Sequence, residues 1–264
     1  MKRTPWWLWT AATFVIVSAW VFFAAIVQLG LADLAPKGEA WSTLLVDLAT
    51  FIPFFLATPL AWKFILGRPI TELVHWRGAP ALRRLWVGFG VWIVLCGATT
   101  AVDAVMHPSD YAFTFSLARF LPFALVTVLL LPVQTWAEEL FFRGWLLNWS
   151  AALPGTSSVL ISGVLFAWPH MGNPEAAGDA ALAFTAYFIL GAVWALVSIR
   201  SGGIELAMGA HLANNAFALL IVGYADAALP TAAVFTTSGL NLVTTVVSLA
   251  VMAPLFAIAT RRVR

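Results

Sequence analysis

The chain has 264 residues, of which 62% are hydrophobic and only 10% are charged. An ordinary soluble domain carries about 25% charged residues, so this composition excludes that class of protein. The formal net charge is +2, and the basic residues lie mainly at the ends of apolar segments. That arrangement indicates membrane topology and argues against a nucleic-acid partner. A single cysteine, Cys96, excludes an intramolecular disulfide and a cysteine-based metal site.

Apolar segments of about 20 residues, separated by short polar or Gly- and Pro-containing breaks, recur along the whole chain. They predict an all-α polytopic membrane protein, a bundle of about eight transmembrane helices. The first segment is longer than the apolar part of a signal peptide, which has about 7–15 residues, so we expect it to be retained as a span. The predicted spans lie near residues 7–31, 42–66, 84–106, 117–147, 156–170, 180–199, 203–223 and 236–260.

The distribution of charge predicts the orientation, because cytoplasmic loops are enriched in Lys and Arg. With eight spans, both termini and every strongly basic loop fall on the cytoplasmic side. We therefore expect a multi-pass protein of the cell membrane, inner or plasma, in contact with membrane lipids. His75, in the second loop, and His107, in the third, are expected at the surface. The second loop is the most basic one and carries Lys63, Arg68, Arg77, Arg83 and Arg84.

Strongly polar side chains at membrane depth cluster in the second half of the chain, which leaves the first three spans as a scaffold. An ionised side chain near the bilayer centre costs at least about 2.5–3.5 kcal/mol on insertion scales, so such residues need partners, water or a chemical role. The cluster consists of Glu138, Glu139, Arg143, His170, His211, Asn214 and Asn215.

Helical spacing places the two adjacent carboxylates, Glu138 and Glu139, on different faces of the predicted helix. Glu139 and Arg143 are four residues apart with the acid first, which favours an intrahelical ion pair. Glu138 is rotated by about 100° from Glu139 and has no such partner on its own helix. His211 and Asn215 are also four residues apart, so they share one helix face.

Each of these features alone is explained by structure, since Arg–Glu pairs and Asn residues can join membrane helices. Together they supply a candidate general base, two imidazoles and an amide donor. These are the groups that a hydrolytic site needs.

At these residues the sequence resembles the CAAX protease and bacteriocin-processing family, also called the Abi or CPBP family of intramembrane proteases. Three ordered motifs over roughly residues 115–225 carry the resemblance. They are Glu138-Glu139-Leu-Phe-Phe-Arg143, Phe166-Ala-Trp-Pro-His170 and His211-Leu-Ala-Asn-Asn215.

The resemblance implies a catalytic role for four residues. Glu138 would be the general base that activates a water molecule, and His170 would help to hold and polarise that water. His211 and Asn215 would stabilise the developing oxyanion.

The resemblance also implies residues that support the site, and it leaves the metal question open. Glu139 and Arg143 would hold the fourth predicted helix in place, and Phe166 belongs to the same supporting set. The pattern His-Glu-x-x-His is absent. No cofactor is favoured, although Zn²⁺ is possible, and its ligands would then be Glu138, His170 and His211.

The predicted organisation has three parts: a transmembrane scaffold of about three helices over residues 1–114, a catalytic core over 115–225, and a C-terminal transmembrane helix with a basic tail over 226–264. The leading hypothesis is an intramembrane endopeptidase that cuts a peptide or lipidated-peptide substrate, prenylated ones included, near the cytoplasmic side. The alternative is a non-catalytic membrane immunity or scaffold protein that keeps the site as a binding cavity. A transporter is disfavoured, because no pair of Gly- or Pro-broken spans occupies matching positions.

Overall fold

The computed structural model describes residues 4–263, and within that range the chain forms eleven α-helices. Helices dominate because a chain in lipid must satisfy its backbone hydrogen bonds internally. They are α1 (Trp6–Ala32), α2 (Ala40–Ala49), α3 (Ile52–Phe64), α4 (Ile70–Val74), α5 (Leu82–Met106), α6 (Leu117–Glu139), α7 (Leu146–Trp149), α8 (Gly155–Ala167), α9 (Ala180–Ser201), α10 (Glu205–Leu220) and α11 (Leu242–Ala259).

Three short strands form a small sheet that the predicted all-helical fold does not include. They are β1 (Tyr111–Phe113), β2 (Val222–Tyr224) and β3 (Phe235–Thr237). The order is β1-β3-β2, with β3 antiparallel to β1 and parallel to β2. Strands of three residues are too short for an alternating pattern to be visible in the sequence. The sheet ties the segment after α5 to the segments that follow α10.

Six segments of the described chain are long and apolar enough to cross a membrane. This gives a multi-pass, mostly helical architecture, whereas the count of about eight spans is not confirmed. The predicted spans near 156–170 and 203–223 correspond to α8 and α10, which have 13 and 16 residues. At 1.5 Å per residue they are about 20 and 24 Å long, shorter than a hydrocarbon core of about 30 Å. The six segments are Trp6–Ala32, Ala40–Phe64, Leu82–Met106, Leu117–Ala152, Ala180–Ser201 and Leu242–Ala259.

The bundle has two chemically different ends. At one end, His75 forms a β-bridge with Gly203, and the Trp76 N–H donates to the Gly202 carbonyl at 2.9 Å. Helices α5 and α10 both start near this contact and both lead into the sheet, because β1 follows α5 and β2 follows α10. We call residues 63–84 and 200–204 the basic end, and residues 107–116 and 221–241 the sheet end.

Glycines bring α5 and α10 into backbone contact. A Cβ atom on Gly209 would lie 1.9 Å from the Leu85 carbonyl oxygen, and one on Gly88 would lie 2.2 Å from the Leu206 carbonyl oxygen. Small residues at a helix crossing let the backbones approach closely, which is a main source of helix association in lipid. The contact fixes the position of α10, the helix on which two of the predicted catalytic residues lie.

The expectation that His75 is a surface residue is wrong. Its side chain is only 3% exposed, and its Nδ1 lies 3.0 Å from Glu205 Oε2. Glu205 Oε1 also accepts hydrogen bonds from Arg84 Nη1 at 3.3 Å and from the Ala81 N–H at 3.1 Å. The polar loop around His75 indicated exposure because its partner lies 130 residues away in the sequence. By contrast, the His107 side chain is 47% exposed, as predicted.

Gly209→Ala should destabilise the protein, because the added Cβ would overlap the Leu85 carbonyl oxygen and force α10 to move. Overpacking typically costs about 1–3 kcal/mol, and the obstacle here is backbone, so we expect the upper part of that range. Thermal unfolding in detergent can be followed by the reaction of a maleimide dye with Cys96, the single cysteine of the chain, which is buried. Gly97→Ala on α5 is the matched control, since a Cβ there would have nothing within 4 Å. Equal melting temperatures for the two variants would contradict the close packing.

Candidate active site

The end of α6 and the turn after it carry the buried charges of the site. The helix ends at Glu139 and continues as a π-helix over Leu140–Trp145. Such π-helical turns are rare and occur frequently at functional sites. Glu138 is 8% exposed, whereas Glu139 and Arg143 are completely buried. Carboxylates and a guanidinium in such an interior require specific partners.

Glu139 is the centre of a buried hydrogen-bond network. Its Oε1 accepts from Arg143 Nη1 at 2.8 Å and from His211 Nδ1 at 2.9 Å. Arg143 Nη2 also donates to the Gly191 carbonyl at 3.3 Å, and the guanidinium lies 4.3 Å from the centre of the Phe166 ring. The intrahelical pair that the spacing predicts is therefore formed, and it has a third member on α10.

Glu138 faces a different direction from Glu139 and lines a cavity. Its Oε1 accepts a hydrogen bond from Gln134 Nε2 at 2.7 Å. Its Oε2 has no hydrogen-bond partner within residues 4–263 and lies 3.7 Å from His211 Nε2. Gln134 thus holds one oxygen of this carboxylate, and the other is buried with no hydrogen-bond partner among the described residues.

Glu139 determines which nitrogen of His211 carries the proton. A carboxylate only accepts hydrogen bonds, so Nδ1 must be the donor and Nε2 is an acceptor in the neutral ring. Asn215 Nδ2 lies 3.4 Å from that Nε2 and also donates to Gln134 Oε1 at 3.2 Å. The indole of Trp194 stacks on the imidazole with the ring centres 4.6 Å apart. His211 is therefore held at both edges and on one face.

The two adjacent asparagines of α10 make different contacts. Asn214 Oδ1 accepts from Trp92 Nε1 on α5 at 3.2 Å, and its Nδ2 donates to Asn215 Oδ1 at 3.1 Å. Asn214 thus joins helices, while Asn215 contacts His211.

His170 lies on a 3₁₀ turn, Trp168–Gly172, that follows α8. Pro169 falls in the first part of this turn, where a missing N–H costs no hydrogen bond. The carbonyl of Phe166 accepts a hydrogen bond from His170 Nδ1 at 2.7 Å, which leaves Nε2 as the acceptor of the neutral ring. The imidazole stacks on Tyr187 with the ring centres 4.2 Å apart.

Burial of His170 favours the neutral form of its imidazole. This residue lies outside the six apolar segments. Burial lowers the pKa of His170 below its usual value, and the charge of Glu138 opposes that shift. A neutral imidazole with a free Nε2 can accept a hydrogen bond from water.

One cavity of about 940 Å³ brings the predicted catalytic residues together. Glu138 lines it from α6, His170 from the turn after α8, and His211 and Asn215 from α10. Glu139 and Arg143 lie behind this wall and do not line the cavity, whereas Phe166 does.

The possible zinc ligands do not form a metal-binding group. Among the residues that the structure describes, no set of three or more His, Cys, Asp or Glu side chains is placed to hold a metal ion. The Nδ1 atoms of His170 and His211 already donate to Phe166 and Glu139, which leaves Nε2 of each ring free. A metal-bound His usually donates its other ring N–H in this way, so these hydrogen bonds are compatible with zinc binding.

Several residues that contact the site are not among those predicted from the sequence. Gln134 precedes Glu138 by four residues, so helical spacing could have identified it as a partner. Trp194, Tyr187 and Glu175 contact the site from α9 and the loop before it, and an isolated aromatic or acidic residue gives no comparable signal.

Residues 119–217 match the family model described as type II CAAX prenyl endopeptidase Rce1-like. The match identifies residues 119–217 as an Rce1-like domain. The resemblance that the three motifs carry is thereby confirmed, and the Rce1-like domain contains every predicted site residue, from Glu138 to Asn215.

One curated relative extends the similarity beyond the Rce1-like domain. The protein of Bacillus subtilis (strain 168) called "Uncharacterized protein YyaK" is 36% identical over 185 residues. The match covers 67% of this chain and 62% of that protein, so the chain spans less than two thirds of the relative's length. No solved structure matches the chain significantly.

Arg143→Met should lower the melting temperature strongly, because it leaves the buried carboxylate of Glu139 without its cation. Breaking a buried ion pair costs about 3–5 kcal/mol, whereas replacing both partners costs less. The double variant Glu139→Gln/Arg143→Met should therefore be more stable than Arg143→Met when both are measured through the reactivity of Cys96. Arg83→Met, at an exposed position, is the control for loss of a guanidinium. A double variant that is less stable than Arg143→Met would show that Glu139 and Arg143 do not stabilise each other.

Proposed function

We propose that this protein is an intramembrane endopeptidase that hydrolyses a peptide bond with water activated by Glu138. The observation that carries the proposal is that Glu138, whose Oε2 has no hydrogen-bond partner among the described residues, lines one cavity with His170, His211 and Asn215. The Rce1-like domain supports peptidase activity at the level of the family.

In the proposed first step, Glu138 takes a proton from a water molecule. The resulting hydroxide attacks the carbonyl carbon of the peptide bond. His170 accepts a hydrogen bond from the same water through Nε2 and so orients it. The proton held by Glu138 then passes to the leaving amine as the C–N bond breaks. Gln134 supports this role because it fixes one carboxylate oxygen while the other has no hydrogen-bond partner in the described chain.

Asn215 and His211 act in the proposal on the oxygen that becomes negative during the attack. The Nδ2 of Asn215 is a neutral donor at the cavity wall. His211 can donate from Nε2 only when its ring carries both protons, and the hydrogen bond to Glu139 keeps Nδ1 a donor and the ring oriented in that form. The Glu139–His211 contact thus has a chemical role in addition to joining two helices.

The cavity walls are consistent with a substrate that is partly apolar. Leu190, Phe217, Leu249 and Met252 line it together with the polar groups. We propose a membrane-associated peptide as the substrate, either a small peptide or one with a prenyl group, because such walls would accept an apolar side chain or a lipid.

We propose that the basic end faces the cytoplasm of the cell and that both termini lie there. A hydrogen bond of 3.3 Å from Arg68 to Thr4 supports this for the N-terminal segment. The cavity includes residues of the sheet end, such as Tyr111 and Tyr224, and none from residues 63–84. With this orientation the cavity reaches the side opposite the cytoplasm, and we propose that the substrate enters there.

Glu138→Gln should lower peptide cleavage about 10²–10⁴-fold, the usual contribution of a general base. The purified protein is incubated in nanodiscs with a mixed peptide pool, prenylated peptides included, and the products are identified by mass spectrometry. Glu39→Gln, at an exposed position outside the cavity, is the matched control. Parallel reactions with a chelator and with added Zn²⁺ test whether cleavage depends on a metal.

Two outcomes would contradict the peptidase proposal. In the first, the wild-type protein cleaves no peptide of the pool. In the second, a deletion strain is complemented as well by each of three variants, Glu138→Gln, His170→Ala and His211→Ala, as by the wild-type protein. The second result would favour the non-catalytic immunity or scaffold role.

Asn215→Ala should lower the rate of cleavage about 10²–10³-fold, as expected for loss of one oxyanion donor. Asn214→Ala is the matched comparison, because this neighbour contacts Trp92 and only the amide oxygen of Asn215. We expect a smaller loss of rate for it, with unchanged KM for both variants. A larger loss of rate for Asn214→Ala than for Asn215→Ala would show that Asn214 is the oxyanion donor and would contradict the proposal.

A further inference from the structure

Glu175 is a second buried carboxylate of the cavity that the proposed mechanism does not use. It lies on the 3₁₀ turn Pro174–Ala176, lines the cavity and is only 4% exposed. Its Oε1 accepts hydrogen bonds from the Tyr187 hydroxyl and from Asn173 Nδ2. Its Oε2 is buried and has no hydrogen-bond partner in the described chain. Both partners are neutral, so the charge of this carboxylate is not compensated by them.

In the described part of the chain, no Lys or Arg side chain lines the cavity wall around this carboxylate. Within residues 4–263 the lining includes four acidic residues and neither Lys nor Arg. Asp103 is paired with His107 and accepts from the Tyr111 hydroxyl. Burial lowers the pKa of His170, which disfavours a compensating charge on its ring. The described part of the cavity wall therefore has more carboxyl groups than basic side chains.

Aromatic rings surround the same position. Tyr187 joins Glu175 to the site, since its hydroxyl bonds to Glu175 and its ring stacks on His170. Tyr224, at the sheet end, also lines the cavity. Burial and the nearby charge of Glu175 raise the pKa of Tyr224, so this phenol stays neutral. A carboxylate flanked by aromatic rings is a favourable environment for an organic cation.

We propose that Glu175 binds an ammonium or guanidinium group of the peptide substrate close to the bond that is cleaved. The proposal rests on the proposed function in one respect, namely that the occupant of the cavity is a peptide. Glu175 Oε2 would accept a charge-assisted hydrogen bond from the cation, and Tyr187 and Tyr224 would contact it with their rings. Glu175 is then a specificity residue that selects peptides with Lys, Arg or a free N-terminus.

The test measures peptide retention rather than cleavage. A pool of apolar octapeptides, in which one position is Lys, Arg, norleucine, Gln or Glu, is passed over immobilised Glu138→Gln protein in phosphatidylcholine nanodiscs. One half of the pool is N-acetylated and the other half has free N-termini. We expect Lys and Arg peptides to be retained about tenfold more than norleucine peptides, as a charge-assisted hydrogen bond provides. Enrichment of free N-termini alone would identify the terminal ammonium as the cation.

The carboxylate is then removed without changing its shape. Glu138→Gln/Glu175→Gln keeps an oxygen that accepts from Tyr187 and should lose the preference. Glu138→Gln/Asp33→Asn, at an exposed position outside the cavity, should keep it. Glu138→Gln/Glu175→Asp retains the charge and serves as a second variant if the Gln variant melts early in the Cys96 assay. Equal retention of cationic and neutral peptides, or a preference that survives in the Glu175→Gln variant, overturns the proposal.

The cleavage and retention experiments test the peptidase proposal and the role of Glu175 separately. If the wild-type protein cleaves nothing, the peptidase proposal fails, and the retention result still decides whether Glu175 binds a cation. If cleavage depends on Glu138 but retention shows no charge preference, only the role of Glu175 is lost.

Discussion

Glu139 accepts hydrogen bonds from Arg143 on its own segment and from His211 on α10, and the rest of the site depends on this contact. In lipid there is little hydrophobic force between helices, so buried polar contacts contribute much of the specificity of their packing. The contact sets the rotation of α10 against α6. It also fixes the tautomer of His211, so that Nε2 faces Glu138 and Asn215. One buried carboxylate thus orients the groups that line the cavity.

The scaffold holds α10 near both of its ends, which keeps this network in register. Gly209, near the start of the helix, packs directly on the backbone of α5. At the other end the chain continues into β2, which pairs with β3 of the same sheet. His211 and Asn215 lie between these two contacts. A shift of α10 by even one residue would separate His211 from Glu139, so the helix–helix contact and the polar network depend on each other.

Spacing along the sequence predicts contacts within a single helix, and it misses contacts between distant parts of the chain. The Glu139–Arg143 pair follows from a separation of four residues. The His211–Glu139 and His75–Glu205 contacts join residues 72 and 130 positions apart, and no local pattern encodes them. The motif resemblance, by contrast, brought Glu138 and His211 into one predicted site. Hydropathy predicts full spans at the short helices α8 and α10, because it does not show where a helix ends in a turn or a strand.

The uneven distribution of charge links the topology to the chemistry. The basic residues of the second loop lie at one end of the bundle, while the cavity contains carboxylates and reaches the sheet end. An apolar peptide gains little by leaving lipid for an apolar wall, since both environments exclude water. A cation on that peptide changes the balance, because Glu175 offers a carboxylate in a poorly solvated place, where attraction is stronger than in water. Such a substrate would be held beside Glu138 by charge, while the remaining apolar contacts would tolerate many sequences.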